Sequence, residues 1–338
     1  MKILRLFLLL APLTLFSNLS EAAFSTQKCI NIGNALEAPN EGDWGVTIEE
    51  YLFEDIYNAG FDTVRIPVRW DSHLNSNNVI DYNFIKRVRE VTSLAIKHHL
   101  KVIIDVHHFT DLSEDYSEEN IKKFHIIWNK ISYYFQWYKD KDVYFEILNE
   151  PYGPVHDTDT DTYTGGEITY ADLDNLIADA ITIIRKYNPT KSIIVGGNYY
   201  NGVYGLHMVK FPDNIDKTNL VGTFHYYNPM EFTHQKIPSY YNGEKDGEFD
   251  SAAKNAADKE FNYASQVAQE TSLPLFLGEF GVSRFATTEE RVEYLHYISS
   301  LAENIGASWC VWSMTDGFRI YDRSTRTFDP ALLQALGL

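Results

Sequence analysis

The chain reads as a single closed (β/α)8 (TIM) barrel. Three observations predict it. Eight short β-branched or apolar runs alternate with longer amphipathic stretches along the 338 residues. The short runs are apolar on both faces, as strands of a parallel sheet covered by helices must be. Helix-like segments, not hairpin turns, separate most of them, which makes the sheet parallel. An open doubly wound sheet is the competing arrangement. It usually carries a Gly-rich phosphate loop after its first strand, whereas the first run here leads into Gly33-Asn-Ala-Leu-Glu37. Gly196-Gly197 is the other candidate for such a loop, and a lone glycine pair is weak evidence.

The strand candidates, in order, are Cys29–Asn34, Thr63–Arg69, Lys101–His107, Val143–Asn149, Ser192–Asn198, Leu220–Tyr227, Leu273–Glu279 and Ser308–Ser313. Between them, Thr47–Ala59 reads as a helix ending at Gly60. Asp81–His99 opens with Asp81 as an N-cap, and Glu118–Tyr138 carries apolar residues at helical spacing. Tyr170–Tyr187 stops before Asn188-Pro189. Ala252–Glu270 and Thr288–Asn304 complete the set, the second with Thr287 as its cap. No Pro/Ser-rich linker or long charge block divides the chain, and α/β barrels run past ~250 residues as one domain. Residues 24–338 are therefore expected to form one domain.

Residues 1–23 read as a signal peptide. Lys2 and Arg5 give the positive start, Leu6 to Leu15 is apolar apart from Pro12 and Thr14, and Ala22-Ala23 offers small residues for cleavage. The run falls short of the ~20 residues a spanning helix needs. The mature chain is expected to be secreted or periplasmic, free of the membrane and monomeric.

The net charge of −18, or −19 once Lys2, Arg5 and Glu21 are removed, disfavours nucleic acid and anionic lipid. It suits a neutral partner. Aromatic content is 14%, with 23 tyrosines, which fits a groove that stacks on sugar rings or a large aromatic core. Cys29 and Cys310 fall on the first and last strands, which a closed barrel makes neighbours. Two buried thiols are expected there, because disulfide geometry is narrow. No zinc signature, phosphate loop or Ser/His/Asp motif appears, so no cofactor and no metal are expected. The acidic stretch His156–Thr164 fails the calcium-loop spacing and reads as a solvated loop.

Polar residues collect at the ends of the strand candidates, where a barrel gathers its active site on one rim. Glu150 ends Tyr144-Phe-Glu-Ile-Leu-Asn-Glu-Pro151, and Glu279 stands in Leu275-Phe-Leu-Gly-Glu-Phe-Gly281. Two carboxyls facing one gap are what cleavage of a sugar–sugar bond needs, one donating a proton and the other attacking the anomeric carbon. Asn149 is placed to bond a sugar 2-hydroxyl. Arg65, within Val64-Arg-Ile-Pro-Val68, and Tyr227 are placed to keep Glu279 ionised. His107 and His108 point to opposite faces and suit chelation poorly, so His107 is read as touching sugar or orienting a glutamate. His225 and Tyr227 are spaced by two and can share the barrel mouth, and Trp312 can floor the sugar at the cleavage point.

These residues resemble glycoside hydrolase family 5, the retaining β-glycanase barrels often called cellulases. Ile147-Leu-Asn-Glu-Pro151 is similar to the family's acid/base signature and Gly278-Glu-Phe-Gly281 to its nucleophile strand. The resemblance implies Glu150 as proton donor and Glu279 as nucleophile, with Arg65, His107, Asn149, His225, Tyr227 and Trp312 completing the site. Gly33-Asn-Ala-Leu-Glu-Ala-Pro-Asn-Glu-Gly-Asp-Trp-Gly45 and His225-Tyr-Tyr-Asn-Pro-Met-Glu-Phe-Thr-His-Gln235 resemble a subgroup of endoglucanases that often accept both β-1,4-glucans and β-mannans. That likeness implies sugar contacts for Asn34, Glu37, His108 and His234, and a β-linked polysaccharide as partner. The chain departs from the subgroup at Ser313, where several members are acidic, and at Tyr240 and Tyr241, where several carry Trp.

Overall fold

The computed structural model describes residues 24–157, 162–208, 210–212, 214–237 and 247–338. The expected leader 1–23, positions 158–161, and Tyr240 and Tyr241 lie outside the described residues. The acidic stretch departs from the expected loop, since Pro154–Asp157 and Thr162–Gly165 pair as antiparallel strands apart from the barrel.

Eight parallel strands pair in chain order and close on themselves. They are β1 (Lys28–Asn31), β2 (Thr63–Val68), β3 (Lys101–Val106), β4 (Val143–Glu146), β5 (Ile193–Gly196), β6 (Leu220–Tyr226), β7 (Leu275–Phe280) and β8 (Ser308–Val311). The outer ring holds α1 (Glu50–Asn58), α2 (Tyr82–Lys97), α3 (Glu118–Phe135), α4 (Tyr170–Arg185), α5 (Ser251–Thr271), α6 (Thr288–Asn304) and α7 (Pro330–Ala335). The crossover from β5 to β6 carries a 3-10 helix, Val203–Met208. Each strand is shorter than its apolar run, in most because rim residues leave the regular ladder to form loops, whereas β7 starts two residues later and runs on through Phe280. Ile147 and Asn149 still donate across to the carbonyls of Ile194 and Val106.

The caps follow the sequence. Asp81 accepts from the Asn83 N–H, and Thr287 forms a reciprocal capping box with Glu290. Thr169 and Asp172 make a second box at the start of α4.

Strand side chains alternate, so each strand feeds two layers. One set, including Val64, Ile66, Ile104, Phe145, Val195, Phe224 and Leu277, packs outward under the helices. The other set fills the barrel. Its lowest layer is apolar: Cys29, Ile103, Tyr144, Ile194, Val221, Phe276 and Cys310. Phe24 closes this floor, its ring 4.9 Å from Tyr144 and 5.7 Å from Phe276. Above it the interior turns polar with Asn31, Arg65, Asp105, Glu146 and Thr223, all fully buried. A sealed floor keeps water from reaching this polar layer from below, where unpaired charges would be costly.

The two cysteines depart from the expected thiols. Cys29 and Cys310 are in register on adjacent strands, with both side chains in the floor layer and the sulfurs bonded. Barrel closure supplies the proximity that sequence alone could not. The bond joins positions 281 residues apart and ties the last strand to the first. Unfolded without reductant, the protein should show no free thiol, and reduction should lower its unfolding free energy by about 2–4 kcal/mol. Two titratable thiols per chain would overturn the pairing.

Candidate active site

Arg65 enters the barrel from β2 and meets partners from four other strands or their ends. Its Nε and Nη2 grip Glu146 at 2.6 and 3.0 Å. Nη1 reaches Glu279 at 2.8 Å and Asn31 Oδ1 at 3.0 Å. Nη2 also bonds Asn149 Oδ1 at 2.8 Å and lies 3.0 Å from Asp105. Despite full burial, these carboxylates hold the guanidinium pKa well above its ordinary value. A planar fork of five N–H donors is what lets one residue serve so many acceptors.

Glu279 is aimed by a bulge. Toward β6 the register passes from Phe224↔Leu277 to His225↔Glu279, and toward β8 from Trp309↔Leu277 to Val311↔Phe280. Both neighbours therefore see one extra residue in β7, at Gly278-Glu279, and such bulges re-aim side chains beside active sites. Gly278 is needed there, since a Cβ would lie 2.8 Å from Thr223 Oγ1 and 2.9 Å from His225 Nε2. Gly281 is equally constrained, with a Cβ only 2.0 Å from the Trp312 carbonyl. Glu279 then receives Arg65 on one oxygen and the Tyr227 hydroxyl on the other, at 3.0 Å.

Glu150 sits at φ 44°, a left-handed conformation that costs strain in a non-glycine residue. Asn201 braces it. With its amide turned to satisfy both neighbours, Asn201 accepts from the Glu150 N–H at 3.3 Å and donates to the Gly197 carbonyl at 3.0 Å. Gly196 leaves room for that amide, because a Cβ would lie 2.3 Å from its nearest atom. The glycine pair is thus a packing device. The Glu150 carboxyl bonds His225 Nδ1 at 2.8 Å. One oxygen of Glu150, one of Glu279 and a ring nitrogen of His225 all lie within 4.8 Å of one another.

Burial pushes both glutamates up to about 7. Their surroundings differ. Both oxygens of Glu279 are held by donors, Arg65 on one and the Tyr227 hydroxyl on the other, which favour its anion against burial and against the charge of Glu150. At Glu150 the charge of Arg65 favours ionisation, and those of Asp105 and Glu146 oppose it. The donor set suits Glu279 as the anion of the pair and Glu150 as the acid. Water reaching the 31% exposed side chain of Glu150 moderates the upward push until a ligand displaces it.

The remaining candidates line the same rim. His107 Nδ1–H donates to Asp105 Oδ2, 2.5 Å away, and the ring lies parallel to Trp312 with centres 5.9 Å apart. His108 stands at right angles to it and meets Trp44 at 5.6 Å. Asn34 is half-buried at φ 61°. Glu37 is buried, with its carboxyl turned to the N–H groups of Asn34 and Ala35, and burial raises it to about 8. His234 is buried beside Tyr227 and Phe318, its Nδ1 at 2.9 Å from Thr233 Oγ1. Arg69 stays at the edge, 3.6 Å from Asp71.

The comparisons agree with this geometry. The family model for cellulase (glycosyl hydrolase family 5) matches residues 24–317. The chain belongs to glycosyl hydrolase family 5. Among family members, it is 36% identical to Endoglucanase H of Acetivibrio thermocellus over 90% of its length, covering 32% of that relative. It is 30% identical to Endoglucanase A of Clostridium longisporum, covering 56% of it. The chain thus spans about a third and a little over half of these curated relatives. Its fold superposes on endoglucanase Cel5A of Thermotoga maritima with TM-score 0.83 at 35% identity, covering 92% of this chain and 96% of that one. The cellulose synthase subunit Z of Clostridioides difficile matches with TM-score 0.83 at 32% identity, covering 92% and 99%.

Three features of this family 5 site were missed in the sequence. Asp105 and Glu146 were hidden inside apolar runs, though each is spaced by two from residues of the same inward face. Asp316 is buried near Trp312 and Gly33, accepts from the Phe318 N–H at 2.7 Å, and brings a carboxyl close to the place where Ser313 lacks one. Glu150, His225 and Glu279 form the one close group of metal-donor side chains among the described residues. They fit a cation poorly, because Arg65 already faces Glu279 and His225 already shares a hydrogen bond with Glu150.

The buried carboxyls set a pH dependence. Glu37 titrates near 8 and Asp105 near 7, both raised by burial. His107, His108, His225 and His234 are pushed down by burial, so above about pH 7.5 they are neutral folded or unfolded. Between about pH 7.5 and 8.5 the folded chain holds carboxyl protons that the unfolded chain has lost, so stability falls as pH rises. Tm should drop across that range, and Glu37→Gln should flatten the upper part of the slope. A rising Tm would contradict the assignment.

Proposed function

We propose that this chain is a retaining endo-β-1,4-glycanase that hydrolyses β-1,4-glucans by double displacement. The observation that carries it is the Glu150–Glu279 gap of no more than 4.8 Å between facing oxygens. Retaining enzymes hold their carboxyl groups ~5–5.5 Å apart, while inverting ones leave ~6.5–9.5 Å for a water.

The steps follow from the donors that each carboxyl meets. The Glu279 carboxylate attacks the anomeric carbon while Glu150 gives its proton to the departing sugar oxygen. The bond between the sugars breaks and a glycosyl ester on Glu279 forms. Glu150, now ionised, takes a proton from a water that attacks the same carbon and releases Glu279. His225 Nδ1–H donates to one oxygen of Glu150 in both steps, which leaves the other oxygen to carry the proton toward the sugar and to take it from the water. Asn149 turns its amide oxygen to Arg65, which directs its NH2 toward the sugar. Trp312 and His107 form the flat wall for that ring.

The family 5 relatives named endoglucanases support the glucan reading. Cel5A of Thermotoga maritima has been solved with cellobiose and with mannotriose, so mannan or mixed-linkage glucan is the second reading. The same proposal makes residues 1–23 an export leader and the mature enzyme a secreted or periplasmic monomer. Carboxymethylcellulose, barley glucan and glucomannan assayed side by side will rank the substrates.

Glu279→Gln should abolish turnover while oligosaccharide binding persists, and appreciable hydrolysis of cello-oligosaccharides by this variant would sink the assignment. Glu150→Ala should lose about 10²–10⁴-fold on sugar leaving groups. With an activated aryl leaving group, which departs without an acid, azide should speed turnover of this variant by attacking the glycosyl ester to give a β-azide, whereas an α-azide would refute retention. Tyr227→Phe removes a hydrogen bond to a charged group, worth about 1.5–3 kcal/mol. It should move the acidic limb of kcat/KM to higher pH, and an unmoved limb would show that Tyr227 does not hold the anion.

A further inference from the structure

Away from the glutamate gap, the loops after β7 and β8 and the start of α7 enclose a cavity of about 430 Å³. Arg284, Arg291 and Arg319 all line it. The chain carries a net charge of −18, so three guanidiniums around one space stand against its overall field. The acids in the wall are Asp322 and Asp329. Both are already engaged. Asp322 Oδ1 accepts from the Ser324 N–H and hydroxyl, and Asp329 Oδ1 caps α7 at the Ala331 N–H, 2.9 Å away. Three cations against two anions leave the wall one positive charge in excess.

Arg291 is the informative member. It is the fourth residue of α6, near the positive end of that helix, where a cation gains nothing from the dipole. It is 8% exposed. Nη2 donates to the carbonyls of Phe318 and Arg319 at 3.1 and 2.7 Å, while Nε is buried and finds no partner. Burial pushes the guanidinium down to about 10; the charge of Asp329 acts the other way, and that of Arg319 adds to the fall. Among the described residues no carboxylate pairs with any of the three arginines. Asp329 and Asp322 act on Arg291 and Arg319 from further off. Arg284 lies over the Phe285 ring, 4.3 Å from its centre. A buried cation without an acid partner is costly, and a second cation beside it adds to the cost. Tying down two carbonyls accounts for Nη2 of Arg291, but not for Arg284 and Arg319 around the same space.

The cluster is set before any ligand arrives. Arg284 N–H donates to the Gly317 carbonyl at 2.8 Å, and Arg319 N–H to the Asp316 carbonyl at 3.2 Å, so the two loops are fixed to each other. Preorganised donors lose little freedom on binding. Phe318 lies between this cavity and the rim, with its ring 5.8 Å from that of Tyr227. The cavity is therefore behind the wall of the active site and outside the glutamate gap.

We propose that this cavity binds a small oxyanion, a free phosphate or the carboxylate of an acidic sugar, through Arg284, Arg291 and Arg319. Guanidinium forks match the paired oxygens of either group. One negative charge would balance the wall. The site holds or fails independently of the glycanase reading, because none of its residues touches Glu150 or Glu279.

Melting of the whole chain near neutral pH, in sodium phosphate, sodium glucuronate and sodium chloride of equal ionic strength, tests this. Phosphate, glucuronate or both should raise Tm above chloride and saturate, since a ligand that binds only the folded chain stabilises it by mass action. Calorimetric titration with the same anion should give one site per chain. Arg319→Gln should weaken the dissociation constant by about tenfold, in keeping with one charge-assisted contact. Arg284→Gln combined with Arg319→Gln should remove the shift, each variant being read against its own Tm in chloride. Lys86→Gln takes the same charge from an exposed position on α2 and should bind as the wild type does. The anion that binds more tightly tells a free oxyanion from a sugar acid as the source. No saturable shift with either anion, or an equal shift in the double variant, overturns the site.

Discussion

One buried guanidinium organises the centre of this barrel. Arg65 is in contact with Asn31, Asp105, Glu146, Asn149 and Glu279, which come from β1, β3, β4 and β7 or their ends. A single positive charge shared by three carboxylates is not a stabilising arrangement in itself. Desolvation of buried ions commonly exceeds their mutual attraction, and removing one partner leaves others exposed to that cost. The arrangement is better understood as orientation. Arg65 holds the nucleophile candidate and Asn149 in one plane, and the acids beneath it fix the plane.

The layers around Arg65 make this affordable. The apolar floor from Phe24 to Phe276 excludes water from below, and the helices shield the strands outside. In that low-dielectric interior each hydrogen bond to a charge is strong and each unpaired group is costly. Asp105 illustrates both, meeting Arg65 and His107 through one oxygen while the other finds no partner. Its carboxyl is accordingly pushed up by burial to about 7.

Backbone irregularity is concentrated where the chemistry lies. The bulge at Gly278-Glu279, the left-handed Glu150 and the left-handed turn at Tyr199–Asn201 all occur at the carboxyl ends of strands. Regular barrel strands would send these side chains alternately inward and outward. Each departure rotates one side chain toward a common gap, and neighbouring hydrogen bonds hold it there. Local strain of this kind persists only where surrounding structure over-determines it.

Much of this was legible in the residues themselves. Eight apolar runs and six amphipathic helices carry their periods openly, and caps such as Asp81 and Thr287 sit where the sequence puts them. Glu150 and Glu279 were visible because each ends an apolar run beside a chain-turning residue. Asp105 and Glu146 were not, because a buried acid inside a strand looks like a defect until its cation is in place. The Cys29–Cys310 bond was hidden for a related reason, since pairing depends on register across the barrel seam. The sequence by itself determined the alternation of strand and helix, the family and the identity of the two carboxyls, because these are properties of local pattern. Only the tertiary structure decided which donors each carboxyl meets and how far apart they stand, because those depend on groups brought together from distant strands into one dry interior.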